Sequence, residues 1–195
     1  DPVRPRLVVM ARVLQPLEPH LYRHGARLGR PPAELAKESS VPAHVKSGSY
    51  LSNVLALRAV RAAGAFEGLL RGVDGSWSEA TTSNLFMVSG GTLHTPGIDD
   101  HILPGVTRAL VLALARETGI PVTERPLFDR DLDSADEIFL TSSIKEVLPV
   151  SHLDNVLVGT AAPGPMTRRL AELYSDRAKR LCSLGLLRLS EVQEE

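Results

Sequence analysis

The order of elements predicts an α+β fold. Strand pairs and isolated helices are interleaved, and no regular strand–helix–strand alternation runs through the 195 residues. Two hairpins carry their own turn chemistry. Asp74-Gly75 and Gly90-Gly91 each separate strand-like runs. With 43% hydrophobic and 23% charged side chains, the chain suits one substantial core, or one large and one small domain.

Leu7 to Leu14 reads as a strand by its β-branched content. The strand starts almost at once and Asp1 is not Met, so residues 1–14 are expected to be cut from something longer. Residues 15–42 hold Pro16, Pro19, Gly25, Gly29, Pro31 and Pro32, so they read as an interdomain linker and lead-in. Residues 43–195 then form the large domain. Its first helix places Leu51, Val54, Leu55, Ala59 and Ala62 on one face and stops near Gly64.

Phe66 to Arg71 and Trp77 to Val88 are strand-like, and Thr92 to Thr95 follows the second turn. Pro104-Gly105 opens a helix from Val106 to Thr118 that is apolar nearly all round, which predicts burial. Val122–Leu127 and Glu137–Thr141 are short strands around a polar, Asp-rich turn or helix. Val147–Ser151 and Val156–Val158 flank the Asp154-Asn155 turn. A final amphipathic helix carries Leu170, Leu173, Tyr174, Ala178 and Leu181 on one stripe.

Composition excludes several classes of function. The 22 basic and 23 acidic residues nearly cancel, so the excess of positive charge needed by a general nucleic-acid binder is absent. The longest apolar run, Ala109 to Ala115, is too short to span a bilayer. Cys182 is the single cysteine, which rules out an internal disulfide framework and suits a cytoplasmic setting. His20 and His24 have the spacing of a metal pair but no third ligand nearby, so no metal is expected.

The chemistry concentrates in four segments. Lysine is scarce: Lys37, Lys46, Lys145 and Lys179 stand against 18 arginines. Lys46 lies between Pro42-Ala43-His44-Val45 and Ser47-Gly48-Ser49, a setting in which a lysine can lose enough charge stabilisation to become a nucleophile. Leu103-Pro104-Gly105-Val106-Thr107-Arg108 opens a helix with the amides and hydroxyl of an anion site. Thr141-Ser142-Ser143 offers three more hydroxyls after a strand. Glu79 precedes Ala80-Thr81-Thr82-Ser83-Asn84 and is a candidate partner for a buried cationic heteroatom.

Lys46-Ser-Gly-Ser-Tyr50-Leu-Ser-Asn, Glu79-Ala-Thr-Thr-Ser-Asn84-Leu-Phe, Leu103-Pro-Gly-Val-Thr-Arg108, and Thr141-Ser-Ser143 with Glu146-Val-Leu-Pro149-Val follow in that order. Together they resemble the class IV (fold-type IV) pyridoxal-phosphate aminotransferases. That family includes the branched-chain and D-amino-acid aminotransferases and aminodeoxychorismate lyase. The resemblance covers about residues 40 to 185. It implies a large, barrel-like, cofactor-binding domain, with the family's small N-terminal domain largely absent and residues 1–14 its remnant.

The roles implied are specific. Lys46 would join pyridoxal 5′-phosphate covalently and shuttle the proton between Cα and C4′. Glu79 would keep the pyridine nitrogen protonated. Val106, Thr107, Ser142 and Ser143 would hold the phosphate. Tyr50 falls where branched-chain enzymes place a tyrosine, although its spacing from Lys46 resembles the D-amino-acid type. Ala80 departs from the glycine common after the glutamate. The implied reaction is transamination between an amino acid, of branched-chain or D-amino-acid type, and a 2-oxo acid, in a cytoplasmic homodimer. The alternatives are aminodeoxychorismate lyase, which eliminates pyruvate, and a non-catalytic pyridoxal-phosphate-binding protein of the same fold.

Overall fold

A computed structural model describes residues 8–35, 50–72, 74–98 and 102–191. The elements are α1 (Pro19–His24), β1 (Ala26–Gly29), a 3₁₀ turn (Ala33–Leu35), α2 (Leu51–Ala62), β2 (Glu67–Arg71), β3 (Trp77–Ala80), β4 (Asn84–Ser89), β5 (Thr92–Thr95), α3 (Val106–Glu117), β6 (Val122–Glu124), α4 (Asp129–Asp133), β7 (Glu137–Ser142), β8 (Glu146–Leu153), β9 (Val156–Leu157) and α5 (Pro165–Glu191). Strands run in the order β3-β2-β1-β8-β7-β4-β5-β6, with β9 paired to β8. The pairing is mixed: β1 lies parallel to β2 and β8, while β4, β7 and β8 are antiparallel neighbours. Beyond the two ends of this order, Trp77 N–H donates to the Leu127 carbonyl at 2.7 Å. That bond curls the sheet toward a barrel and covers an otherwise open strand edge.

The α+β class and the barrel-like sheet expected from the sequence are present. The β4–β7 pair explains the core. Leu85 and Met87 point to one side with Ile138 and Leu140, into a cluster completed by Leu28, Leu69, Leu127 and Leu148. Phe86, Val88 and Phe139 point to the other side, against Val111, Leu112 and Ala115 of α3 and Leu170 of α5. A strand buried on both faces needs a continuous apolar run, as Leu85-Phe86-Met87-Val88 is. Phe86 and Phe139 face each other in register, their rings stacked at 4.9 Å.

Several sequence expectations are corrected. Residues 8–14 form no strand. Val8, Val9, Met10 and Val13 are exposed, and no ladder partner lies beside them among the described residues. Residues 26–29, inside the stretch expected to be a linker, form β1 in the interior of the sheet. Trp77 to Val88 is two strands, because Ala80 and Ser83 close a tight turn between them. Of α3, Val106 and Ala109 are exposed, so the helix is buried on one side only. The first helix forms where expected, but on another face: Ala56 and Val60 are buried, while Leu51 is 69% exposed. Gly29 and Gly68 are cross-strand partners. A Cβ on either would stand 2.9 and 3.0 Å from the Val60 side chain. The helix seats Val60 on this glycine pair because the backbone there is too close for leucine.

Replacing one half of the stacked ring pair leaves a cavity between sheet and helices. Phe139→Ala should lower the unfolding free energy by about 3–5 kcal/mol, read as a lower urea midpoint at unchanged slope.

Candidate active site

Asn84, Thr141 and Ser142 lie at one end of the β4–β7 pair, and Glu79 is on the strand before it. Glu79 lies near the end of β3, is 8% exposed, and accepts the Leu103 N–H on Oε2 at 2.9 Å. Asn84 starts β4 and donates through Nδ2 to the Leu103 carbonyl at 2.8 Å. Both side chains therefore grip one residue just ahead of α3. Across the ladder, Asn84 pairs with Thr141, whose hydroxyl is buried and has no hydrogen-bond partner. Ser142 follows at the end of β7, and its Oγ accepts the Lys145 N–H at 3.1 Å.

The start of α3 could receive an anion. Gly105 supplies no capping side chain, and the first turn contains no acidic residue. The amides of the first turn and the positive end of the helix dipole are thus uncompensated by local side chains. Gly105 is required by proximity, since a Cβ there would collide with Asn84 Oδ1. Thr107 is buried at this terminus, while Val106 exposes its side chain. Arg108 anchors the same turn: it donates to the Pro96 carbonyl at 2.7 Å and to Glu124 Oε2 at 2.6 Å.

Glu79 and Asn84 are thereby bonded to Leu103, and Ser142 stands one residue past the Asn84–Thr141 rung. Ser143 lies exposed in the adjoining turn, and Tyr50 stands at the start of α2. Lys46 lies outside the described residues. His20 and His24 are exposed on α1. Among the described residues, no cluster of histidine, cysteine and carboxylate side chains could hold a metal.

The family model described as Amino-transferase class IV matches residues 2–153. The chain belongs to the class IV aminotransferases. Branched-chain-amino-acid aminotransferase of Escherichia coli (strain K12) is 37% identical over 140 residues, which is 71% of this chain and 45% of that protein. D-alanine aminotransferase of Listeria monocytogenes serotype 4b is 34% identical over 138 residues, which is 71% of this chain and 47% of that protein. Among solved structures, the T.th. branched-chain amino acid aminotransferase with pyridoxamine 5′-phosphate superposes with a TM-score of 0.76 at 32% identity. That match covers 84% of this chain and 54% of the solved one. This class IV aminotransferase chain spans about half the length of the relatives it matches.

Sequence reasoning missed Asn84 and Arg108 as organisers of this candidate site, and it missed Glu67 and Lys145, which form a buried ion pair beside it at 2.6 Å. A signal existed for Glu67: it is the single charge between Phe66 and Gly68-Leu69-Leu70 in an apolar strand. Among the described residues, no helix is long and apolar enough to cross a membrane.

Two consequences are measurable. Gly105→Ala should displace Asn84 from Leu103 and cost about 1–3 kcal/mol of stability, read by chemical denaturation. The second concerns acid. Burial raises the Glu124 carboxyl, but hydrogen bonds from Arg108 and Arg116 outweigh it and hold the group below its ordinary value of 4.5. A depressed folded value means stability that is present above the unfolded value and is lost as pH falls through the folded one. Glu124→Gln should flatten the acid limb of a denaturation-versus-pH profile, and an unchanged limb would show that this pair carries none of it.

Proposed function

We propose that the chain is the cofactor-holding part of an aminotransferase that uses pyridoxal 5′-phosphate to move an amino group between a branched-chain amino acid and a 2-oxo acid. The observation that carries this reading is the grip of Glu79 and Asn84 on Leu103. It sets a buried carboxylate beside the uncapped start of α3. A charged ring nitrogen and a phosphate on one molecule are what such a pair of sites would hold together. The fit extends to the unpartnered Thr141 hydroxyl and to Gly105, whose missing side chain lets Asn84 close on the start of α3.

When bound, the cofactor supplies an electron sink for the charge left on the amino acid's Cα. Glu79 would hold a proton on the ring nitrogen, its carboxylate plane set by the Leu103 N–H. Val106 and Thr107 would give backbone amides to the phosphate, and Thr107, Ser142 and Ser143 would give hydroxyls. Lys46 Nζ would carry the covalent bond to the cofactor and, once released from it, would take the proton from Cα and deliver it to C4′.

A branched-chain donor is supported by the names of the matched E. coli and T.th. proteins. The D-alanine aminotransferase relative makes a D-amino acid the competing outcome of a substrate screen. The homodimeric, cytoplasmic state expected from the sequence belongs to the same proposal.

Borohydride reduction in the presence of pyridoxal phosphate, followed by peptide mass mapping, tests the reading. The expected result is one pyridoxyl adduct on Lys46 that is abolished by Lys46→Ala. Label spread over Lys37, Lys145 and Lys179, with Lys46 unmodified, would overturn it.

A further inference from the structure

Two charges are buried next to the site without belonging to it. Glu67 opens β2 at 2% exposure, and Lys145 sits in the β7–β8 turn at 8% exposure. Lys145 Nζ donates to Glu67 Oε2 at 2.6 Å, to Ser83 Oγ at 2.8 Å, and to Thr82 Oγ1. Each of the three ammonium protons thus has an acceptor. Glu67 also accepts the Thr82 N–H at 3.1 Å, the Thr82 hydroxyl at 2.9 Å, and the Thr81 hydroxyl.

A buried ion pair is a poor source of stability, because desolvation offsets most of its attraction. What this one does is join two turns that are distant in sequence. Thr81-Thr82-Ser83 is the whole connection between β3, which carries Glu79, and β4, which begins with Asn84. On the other side, the Lys145 N–H is fixed to Ser142 Oγ, and the Lys145 carbonyl accepts the Tyr22 hydroxyl at 3.2 Å. The carboxylate side of the site and its hydroxyl turn are therefore cross-linked through one ammonium group.

We propose that Glu67 and Lys145 are positioning residues for the cofactor: their pair fixes the spacing between Glu79 and the Ser142-Ser143 turn, so that one molecule meets both. This inference rests on the proposed function. The two groups act through Thr81–Ser83 and Ser142 and need no contact with the cofactor.

The test uses the 195-residue chain, pyridoxal phosphate titration followed by visible absorbance, and thermal unfolding of the cofactor-free protein. Lys145→Met should raise the dissociation constant by about tenfold or more, since small displacements of binding groups are costly. The double variant Glu67→Met, Lys145→Met removes the unpaired charge and should regain much of the wild-type melting temperature, as apolar replacements of buried pairs do. Its affinity should stay low. Affinity that returns together with stability, or single and double variants that bind as wild type does, would overturn the inference alone. A wild-type chain that takes up no pyridoxal phosphate would overturn the functional reading, and this inference with it.

Discussion

The β4–β7 ladder is the constraint on which the rest depends. Its five registered pairs run from Asn84–Thr141 to Val88–Glu137. Both faces of the pair are buried, one in the sheet interior and one against α3 and α5. A one-residue slip would exchange the two faces and carry Phe86 and Phe139 into the space now filled by Leu85, Met87, Ile138 and Leu140. Register is therefore set by packing along the whole pair. The site inherits that precision, because Asn84 and Thr141 form its last rung.

The far rim of the barrel is held by a different force. Trp77 donates to Asp129 Oδ1 at 3.1 Å, and the Arg71 guanidinium lies 4.1 Å from the Trp77 ring centre while also donating to Asp129. Arg30 reaches Asp129, Asp133 and Asp154 from the end of β1. These partly exposed charges tie β1, β2, β3 and α4 together where the Trp77–Leu127 bond closes the sheet. Each pair in water is worth little, but the groups share partners and so form a network. Closure matters for the site, because β3 is the strand that brings Glu79 to it.

Local chemistry made much of this legible. Asp74-Gly75 and Gly90-Gly91 announced their hairpins, and the order of Glu79, Leu103–Arg108 and Thr141–Ser143 marked the candidate site. Each signal spans only a few residues, so a linear reading can find it. The Leu51–Ala62 helix shows where such reading stops. Its length was evident, but its buried face was set by Gly29 and Gly68, which lie far apart in sequence and side by side in the sheet. The apolar pattern favoured the leucines; the close backbone selected Val60.

The same division applies to charge and to function. The sequence by itself determined the fold class, the family and the kinds of group gathered at the candidate site, because those follow from short-range periodicity, turn residues and motif order. Only the tertiary structure decided that Leu7–Leu14 forms no strand over its described residues, that residues 26–29 lie inside the sheet, and that Glu67 and Lys145 meet. Such outcomes depend on which strands become neighbours. A strand needs a partner to complete its ladder, and a buried charge needs an opposite one, and in this chain the partners lie tens of residues away.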